Sequence, residues 1–215
     1  MRYAKILASL VIVMGVCAHI PVALAASHKS DDMLAVQSPA STVVEKFYTV
    51  LVDTMKQGST LGFAGRYKKM EPVIKASFNL PLMTRMAVGL VWSKATVDEQ
   101  QQLISAFSDF SVANYASQFS KYDGEKFDII GEEPAAGGGV IVETKLTPRE
   151  GGPVALNYLM RQDENGKYRI VDVFLDATIS ELATRRAEFT SIVNHDGFEA
   201  LVNTLGEKSR QMGPS

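Results

Sequence analysis

Histidine and carboxylate side chains would carry most acid–base or metal chemistry in this sequence, and histidine is scarce. The chain holds three histidines, His19, His28 and His195, and the first two lie close to the N-terminus. With only His195 left for a folded domain, neither a histidine-based metal site nor a serine–histidine–aspartate triad can be assembled. We therefore predict no metal ion, no cofactor and no catalytic residue.

Carboxylates remain as candidate general bases, at Asp128, Asp172 and Asp176. The sequence contains no Gly-x-Ser-x-Gly elbow, no phosphate-binding loop and no dinucleotide fingerprint. Asp172 and Asp176 end an apolar run, where aspartate commonly caps turns, and Asp128 alternates with apolar neighbours as a solvent-facing strand residue does. These positions favour structural roles over catalysis.

The N-terminus has the layout of a secretory signal peptide. Arg2 and Lys5 precede a short apolar stretch, and small residues around Ala25 suit signal-peptide cleavage. The stretch is too short for a membrane span, which needs about 20 apolar residues. We predict a signal peptide over residues 1–25, a flexible tail over 26–37, and export to the periplasm after cleavage behind Ala25.

Composition and charge exclude some classes of binding partner. The net charge of −2 becomes more negative once Arg2 and Lys5 are removed, and this balance argues against a nucleic-acid partner. The single cysteine, Cys17, leaves with the signal peptide, so no disulfide can contribute to stability. No other segment is long and apolar enough for stable membrane insertion.

Helical periodicity dominates the first half of the mature chain. A helix is predicted to start at Ser38-Pro39, shorter helices between Gly58 and Gly89, and a long helix after the capping box formed by Thr96 and Glu99. The long helix has one broad and unusually aromatic face. That face carries Leu103, Ile104, Phe107, Phe110, Tyr115, Phe119 and Tyr122.

Strand patterns follow, in four runs over residues 126–132, 140–147, 154–161 and 168–175. Glycine-rich separators between them predict an antiparallel meander, and two amphipathic helices close the chain. The predicted fold class is α+β, in a single domain over residues 38–210. Both faces of the last two strands carry apolar groups, so helices cover both faces or one face lines a ligand cavity. Periodicity alone favours plain core packing.

Several collinear segments carry a family resemblance. They are Gly89-Leu90-Val91-Trp92, Thr96 to Gln100, Phe107, Tyr115, Phe119, Tyr122 to Glu125, Tyr168 to Val173, and Ile179-Ser180 with Arg186, Phe189 and Gly197. Together they resemble the MlaC family, the soluble periplasmic component of lipid-transport systems, over roughly residues 39–206. Glu181 and Arg185 stand where typical members have leucine and tyrosine, and the run over 179–189 looks more like the HpnM branch, which is associated with hopanoids.

The resemblance implies an NTF2-like fold, in which a curved antiparallel sheet of about four strands and the helices at both ends enclose an apolar pocket. It implies a carrier that holds a phospholipid or a hopanoid-type lipid and shuttles it between membranes or membrane-bound transporter components. Two alternatives stay open: an NTF2-like enzyme that uses Asp172 and Tyr158 on a small molecule, and a protein-binding adaptor with a filled core.

Candidate site residues follow from periodicity and the resemblance together. The lipid-contacting set is predicted to comprise Phe107, Phe110, Tyr115, Val142, Leu156, Tyr158 and Ile170. A basic set is predicted to bind lipid head groups or a protein partner and comprises Arg66, Lys68, Lys69, Arg185 and Arg186. For Arg185 the competing interpretation is an ordinary helix-surface pair with Glu181. For the cluster over residues 66–69 it is a solvated helix end.

Overall fold

A computed structural model of the protein describes residues 38–213. The predicted signal peptide and tail, residues 1–37, lie outside the described residues. The helices are α1 (Pro39–Lys56), α2 (Gly58–Ser77), α3 (Leu80–Val88), a 3₁₀ segment (Gly89–Lys94), α4 (Val97–Gln118) and α5 (Glu181–Met212). The strands are β1 (Lys126–Pro134), β2 (Val140–Thr147), β3 (Val154–Gln162), β4 (Tyr168–Leu175) and β5 (Ile179–Ser180).

Helix α1 begins as the sequence predicts. The Ser38 side chain accepts hydrogen bonds from the backbone amides of Ala40 and Ser41, and Pro39 occupies the first turn. Glu132 on β1 also accepts a hydrogen bond from the Ser41 amide, at 3.0 Å. The start of the helix is thereby tied to the outer strand of the sheet.

The predicted short helices between Gly58 and Gly89 form as α2 and α3, and Gly62 interrupts α2 with a positive φ of 59°. Gly58 is required by close approach rather than by its dihedral angles. A Cβ atom added there would lie 2.0 Å from the carbonyl oxygen of Ser120, just beyond the end of α4. The first turn of α2 and the chain after α4 can therefore touch only without a side chain at residue 58.

Helix α4 begins at the predicted capping box. The Glu99 amide donates to the Thr96 hydroxyl at 3.2 Å, and the Thr96 amide donates to the Glu99 carboxylate at 2.7 Å. The helix then continues for 22 residues to Gln118. It packs mainly on α2 and α5.

The five strands form one antiparallel sheet in the order β1-β2-β3-β4-β5, so the predicted meander is confirmed. Strand β5 is an addition to the four predicted strands and occupies Ile179 and Ser180. Asp176 and Ala177 adopt positive φ values of 49° and 61°, which turn the chain back so that Ile179 pairs with Leu175. The helix therefore starts two residues later, at Glu181.

Strand β1 is an outer edge of the sheet and is irregular. Its register against β2 shifts between Ile129 and Gly131, which marks a β-bulge. Lys126, Asp128 and the last three residues of the strand, 132–134, are exposed.

The two predicted C-terminal helices form the two halves of α5, which are separated by a break at Gly197 with φ 86° and ψ 176°. The break lies close to the predicted boundary near Asp196. Within residues 38–213, no helix is both long enough and apolar enough to span a membrane.

The core lies between the inner face of the sheet and the helices, and aromatic rings fill much of it. The Phe47 ring contacts the rings of Phe78 and Tyr115 edge-on, each at a centroid distance of 5.3 Å. It also contacts the Tyr158 ring of β3, at 6.4 Å. Edge-to-face contacts of this kind fix the positions of the rings beyond what burial alone does.

The close approach at Gly58 makes a stability prediction. Gly58→Ala should lower the free energy of unfolding by about 1–3 kcal/mol, because the methyl group would collide with the Ser120 carbonyl. Gly206→Ala in α5 is the matched control, since its nearest neighbour is a flexible Arg210 nitrogen at 3.5 Å. Urea unfolding of both variants checks this, and equal midpoints for the two would contradict it.

Candidate functional site

A partly open cavity of about 110 Å³ lies between the inner face of the sheet and helix α4. It is lined mostly by apolar side chains. The lining consists of Ile74, Phe78, Met83, Phe107, Ser111, Asn114, Tyr115, Gln118, Phe119, Leu146, Leu156, Tyr158, Val173, Leu175, Glu181 and Arg185.

The sheet supplies the apolar wall because of its register. Leu156 lies opposite Leu175 and Tyr158 lies opposite Val173, so all four side chains share one face of β3 and β4. Leu146 extends this wall onto β2.

Helix α4 supplies the facing wall through residues spaced three and four apart. Phe107, Ser111 and Tyr115 form one row, and Asn114 and Gln118 form a second row beside it. This wall is therefore mixed, with two aromatic rings and three polar side chains.

Four of the predicted lipid-contacting residues line the cavity: Phe107, Tyr115, Leu156 and Tyr158. That they touch lipid stays a prediction.

Phe110, Val142 and Ile170 are buried but do not line the cavity, and that they touch lipid also stays a prediction. The Phe110 ring lies beneath the guanidinium of Arg185, at 4.8 Å. Ile170 is covered by the junction of α2 and α3, where the Asn79 amide donates to its carbonyl at 2.8 Å. Val142, opposite Tyr158, is fully enclosed by the core.

Sequence reasoning missed the contributions of α2 and α3 and the polar side chains of α4. Asn114 and Gln118 follow Phe107 by 7 and 11 residues, which is helical spacing on the same side of α4. That spacing was an available signal. Asn114 and Gln118 are absent from the predicted lining because polar residues on an amphipathic helix usually face water.

Two charged residues, Glu181 and Arg185, also line the cavity. Their closest oxygen and nitrogen atoms are 3.6 Å apart, and their side chains are only 21% and 13% exposed. Burial raises the pKa of Glu181, and the Arg185 charge opposes that shift. The predicted Glu181–Arg185 pair therefore forms, but inside the cavity rather than on a solvated helix surface.

The other basic candidates do not form one patch. The Arg66 guanidinium donates to the backbone carbonyls of Ala116 and Gly58, at 2.7 and 2.8 Å, and so joins α2 to the end of α4. Lys69 pairs with Asp53 at 2.5 Å. Lys68 and Arg186 are exposed. A docking role for Lys68 and Arg186 stays a prediction, whereas Arg66 and Lys69 have internal partners.

The pair required by the enzyme alternative is not assembled. Tyr158 lies opposite Val173, so the adjacent Asp172 points to the other face of the sheet. There the Asp172 carboxylate accepts hydrogen bonds from the Ser180 hydroxyl at 2.6 Å and the Leu182 amide at 3.0 Å. Asp172 therefore anchors the start of α5.

The remaining candidate groups are dispersed. Asp128, Asp176 and His195 are exposed. Across the described part of the chain, no three histidine, cysteine or acidic side chains are grouped as a metal site requires.

Two tyrosines, Tyr115 and Tyr158, line the cavity, and Tyr48 is buried in the core near them. The Tyr48 hydroxyl lies 2.6 Å from the Thr144 hydroxyl, and burial raises the pKa of Tyr48 to about 12. Burial also raises the pKa of both Tyr115 and Tyr158. All three are therefore neutral at physiological pH.

A wider depression of about 700 Å³ lies outside the core, between α1 and β1. Its rim includes the charged residues Glu45, Asp53, Lys56 and Asp128, and it is open to solvent. An apolar ligand there would remain in contact with water. The internal cavity is the better candidate site for such a ligand.

Comparisons with known proteins were made on sequence and on structure. A family model described as MlaC protein matches residues 45–207, more than half of the chain. Among solved structures, the chain is similar to a phospholipid-binding protein from Ralstonia solanacearum determined in complex with a phospholipid. The two share 22% sequence identity with a TM-score of 0.69, over 80% of this chain and 98% of the other. That likeness establishes a shared fold.

No curated protein sequence matches the chain.

The buried tyrosines predict a loss of stability in alkali. A tyrosine whose pKa is higher in the folded than in the unfolded chain contributes stability below about pH 10, and this is lost as the pH rises further, by about 1.4 kcal/mol per pH unit. Tyr115→Phe removes one ionisable hydroxyl group. The free energy of unfolding of this variant should therefore fall less steeply than that of the wild type between about pH 10 and 12. Urea unfolding across this range checks it, with pH 8 as the internal reference. Parallel curves would contradict the prediction.

Proposed function

This chain belongs to the MlaC family, and from that premise we propose that it is a non-catalytic carrier that holds a lipid in its internal cavity. The single observation that carries the proposal is the internal, largely apolar cavity between the sheet and α4. The phospholipid bound by the structurally similar Ralstonia protein supports the same ligand class. A protein-binding adaptor with a filled core would not need this space.

Energetics favour full enclosure of the cargo. Each methylene group removed from water contributes about 0.8 kcal/mol, so a lipid with some thirty methylenes gains on the order of 20 kcal/mol from burial. An open groove on the surface would leave much of that gain unrealised. A carrier that crosses an aqueous compartment therefore has to surround the tails.

The cavity must widen to accept such a cargo. Its volume of about 110 Å³ lies well below the roughly 300–1,000 Å³ of typical ligand pockets. Helix α4 packs mainly on α2 and α5. Displacement of the helical layer from the sheet would enlarge the cavity while the strand pairing stays intact. We infer that the lipid-bound form has a wider cavity than this one.

We also propose the finer assignments. The cargo is a phospholipid or a hopanoid-type lipid, and the resemblance of residues 179–189 to the HpnM branch supports the second. The carrier exchanges lipid with membrane-bound transporter components, for which the exposed cations Lys68 and Arg186 are candidate contacts. Residues 38–210 form a single lipid-binding domain.

The carrier proposal is tested by native mass spectrometry of the purified mature protein, followed by organic extraction and lipid identification. A near-stoichiometric lipid is expected, together with transfer of labelled lipid between vesicles. A protein that carries no lipid and takes none from vesicles would overturn the proposal.

A cavity-filling variant sharpens the test. Val173→Trp places an indole in the cavity opposite Tyr158, so lipid loading and vesicle transfer should be largely lost. Val97→Trp is the matched control, because Val97 is 79% exposed at the start of α4. Circular dichroism should show both variants folded. Equal lipid loading in the two would count against this cavity as the site.

Export and processing make a separate prediction. Expression of the full chain in a Gram-negative host should give a periplasmic protein whose N-terminal residue is Ala26, because the small residues around Ala25 suit signal-peptide cleavage. N-terminal sequencing of the periplasmic fraction checks this. Recovery of an uncleaved cytoplasmic chain would show the prediction to be wrong.

A further inference from the structure

The polar groups on the α4 wall of the cavity are largely engaged with one another. The Ser111 hydroxyl donates to the Phe107 carbonyl at 2.7 Å, within the helix. The Gln118 amide nitrogen donates to the Asn114 side-chain oxygen, also at 2.7 Å. These contacts satisfy some of the donors and acceptors of Ser111, Asn114 and Gln118 and hold the three side chains along the helix.

Glu181 and Arg185 differ from them. Their separation of 3.6 Å is longer than a hydrogen bond, and within residues 38–213 neither side chain makes a hydrogen bond to any other group. Arg185 has five N–H donors, and the Glu181 carboxylate has two acceptor oxygens. Both side chains are mostly buried and line the cavity. The free hydrogen-bond donors of Arg185 and acceptors of Glu181 are therefore available to a group bound in the cavity.

The Phe110 ring helps to fix this arrangement. The Arg185 guanidinium lies 4.8 Å from the ring centroid, which is cation–π distance. Phe110 and Glu181 thus contact Arg185 from two different helices, α4 and α5. The donors of Arg185 have a defined position in the wall.

A hydrocarbon chain pressed against this pair would leave both charges unsatisfied. Buried ion pairs repay their desolvation only when further hydrogen bonds satisfy the remaining donors and acceptors. The pair is also neutral overall. A carboxylate ligand would be attracted by Arg185 but repelled by the neighbouring Glu181, and the reverse holds for an ammonium ligand, so the pair favours neither charge. A hydroxyl group can donate to Glu181 and accept from Arg185 at once.

We propose that Glu181 and Arg185 form a subsite for a hydroxyl group of the cargo, so that the carrier selects a hydroxyl-bearing amphiphile over a purely hydrocarbon or fatty-acid ligand. This assignment rests on the proposed carrier function and specifies its ligand class. The apolar wall of β2, β3 and β4 holds the hydrocarbon part, and the pair holds the polar group at the opposite wall.

The test uses three probes with the same chain length: 1-decanol, 1-methoxydecane and decanoate. The ether can accept a hydrogen bond but cannot donate one, and decanoate carries a charge. Affinities are measured by displacement of a fluorescent lipid from the delipidated full-length mature protein. Wild type should bind 1-decanol roughly tenfold or more tighter than either other probe, the range expected for hydrogen bonds to charged groups.

Two variants assign the preference to the pair. Glu181→Met should reduce the preference for the alcohol over the ether to near unity, because it removes the acceptor to which only the alcohol can donate. The double variant Glu181→Met with Arg185→Met should do the same, and it replaces both charges with apolar side chains of similar volume, a change that buried pairs commonly tolerate without unfolding. Lys208→Met is the control, because Lys208 pairs with Glu188 on the exposed surface of α5. It should retain the wild-type preference.

The outcomes separate the subsite from the carrier function. Equal affinities of the three probes for wild type, or tightest binding of decanoate, would overturn the hydroxyl subsite while leaving lipid carriage in place. Retention of the alcohol preference in the double variant would also overturn it. Failure of every probe to bind, with no lipid recovered from the native protein, would overturn both proposals.

Discussion

The separation between the sheet and helix α4 is the constraint on which the rest of the structure depends. Helix α4 packs mainly on α2 and α5, so its inner side faces the sheet across a cavity. The aromatic contacts among Phe47, Phe78 and Tyr115 support one end of this gap. The antiparallel ladder beneath satisfies its own backbone hydrogen bonds, so the sheet can keep its shape while the space above it changes. The cavity of about 110 Å³ lies within this space.

Charge placement is the second determinant of the site. Asp172 anchors the start of α5 through Ser180 and the Leu182 amide, and this anchor sets the position of the first turn of the helix. Glu181 and Arg185 lie on that turn and the next and line the cavity. The acid that the enzyme alternative assigned to catalysis is thus used to position two other charged residues. The position of the proposed subsite therefore depends on one short segment, β5 and the beginning of α5.

Much of the fold follows from local patterns in the sequence, because those patterns have local causes. The four long strands alternate or run apolar between glycine turns, and the capping box at Thr96 fixes the start of α4. Strand β5 did not follow, since two residues have no period and the strand depends on positive φ values at Asp176 and Ala177. The lining was predicted only in part. A helical face identifies Phe107 and Tyr115, but which buried side chains line a cavity depends on the neighbouring helices, which no local pattern encodes.

The bulged outer strand β1 has a consequence for the behaviour of the protein in a crowded compartment. An exposed sheet edge offers unpaired amides and carbonyls on which a second sheet can build. Here the register shift after Ile129 interrupts that row, and exposed charges and Pro134 flank it. Stacking of chains edge to edge into fibrils is disfavoured as a result. The irregular edge thus limits association of the chains through β1 at high protein concentration.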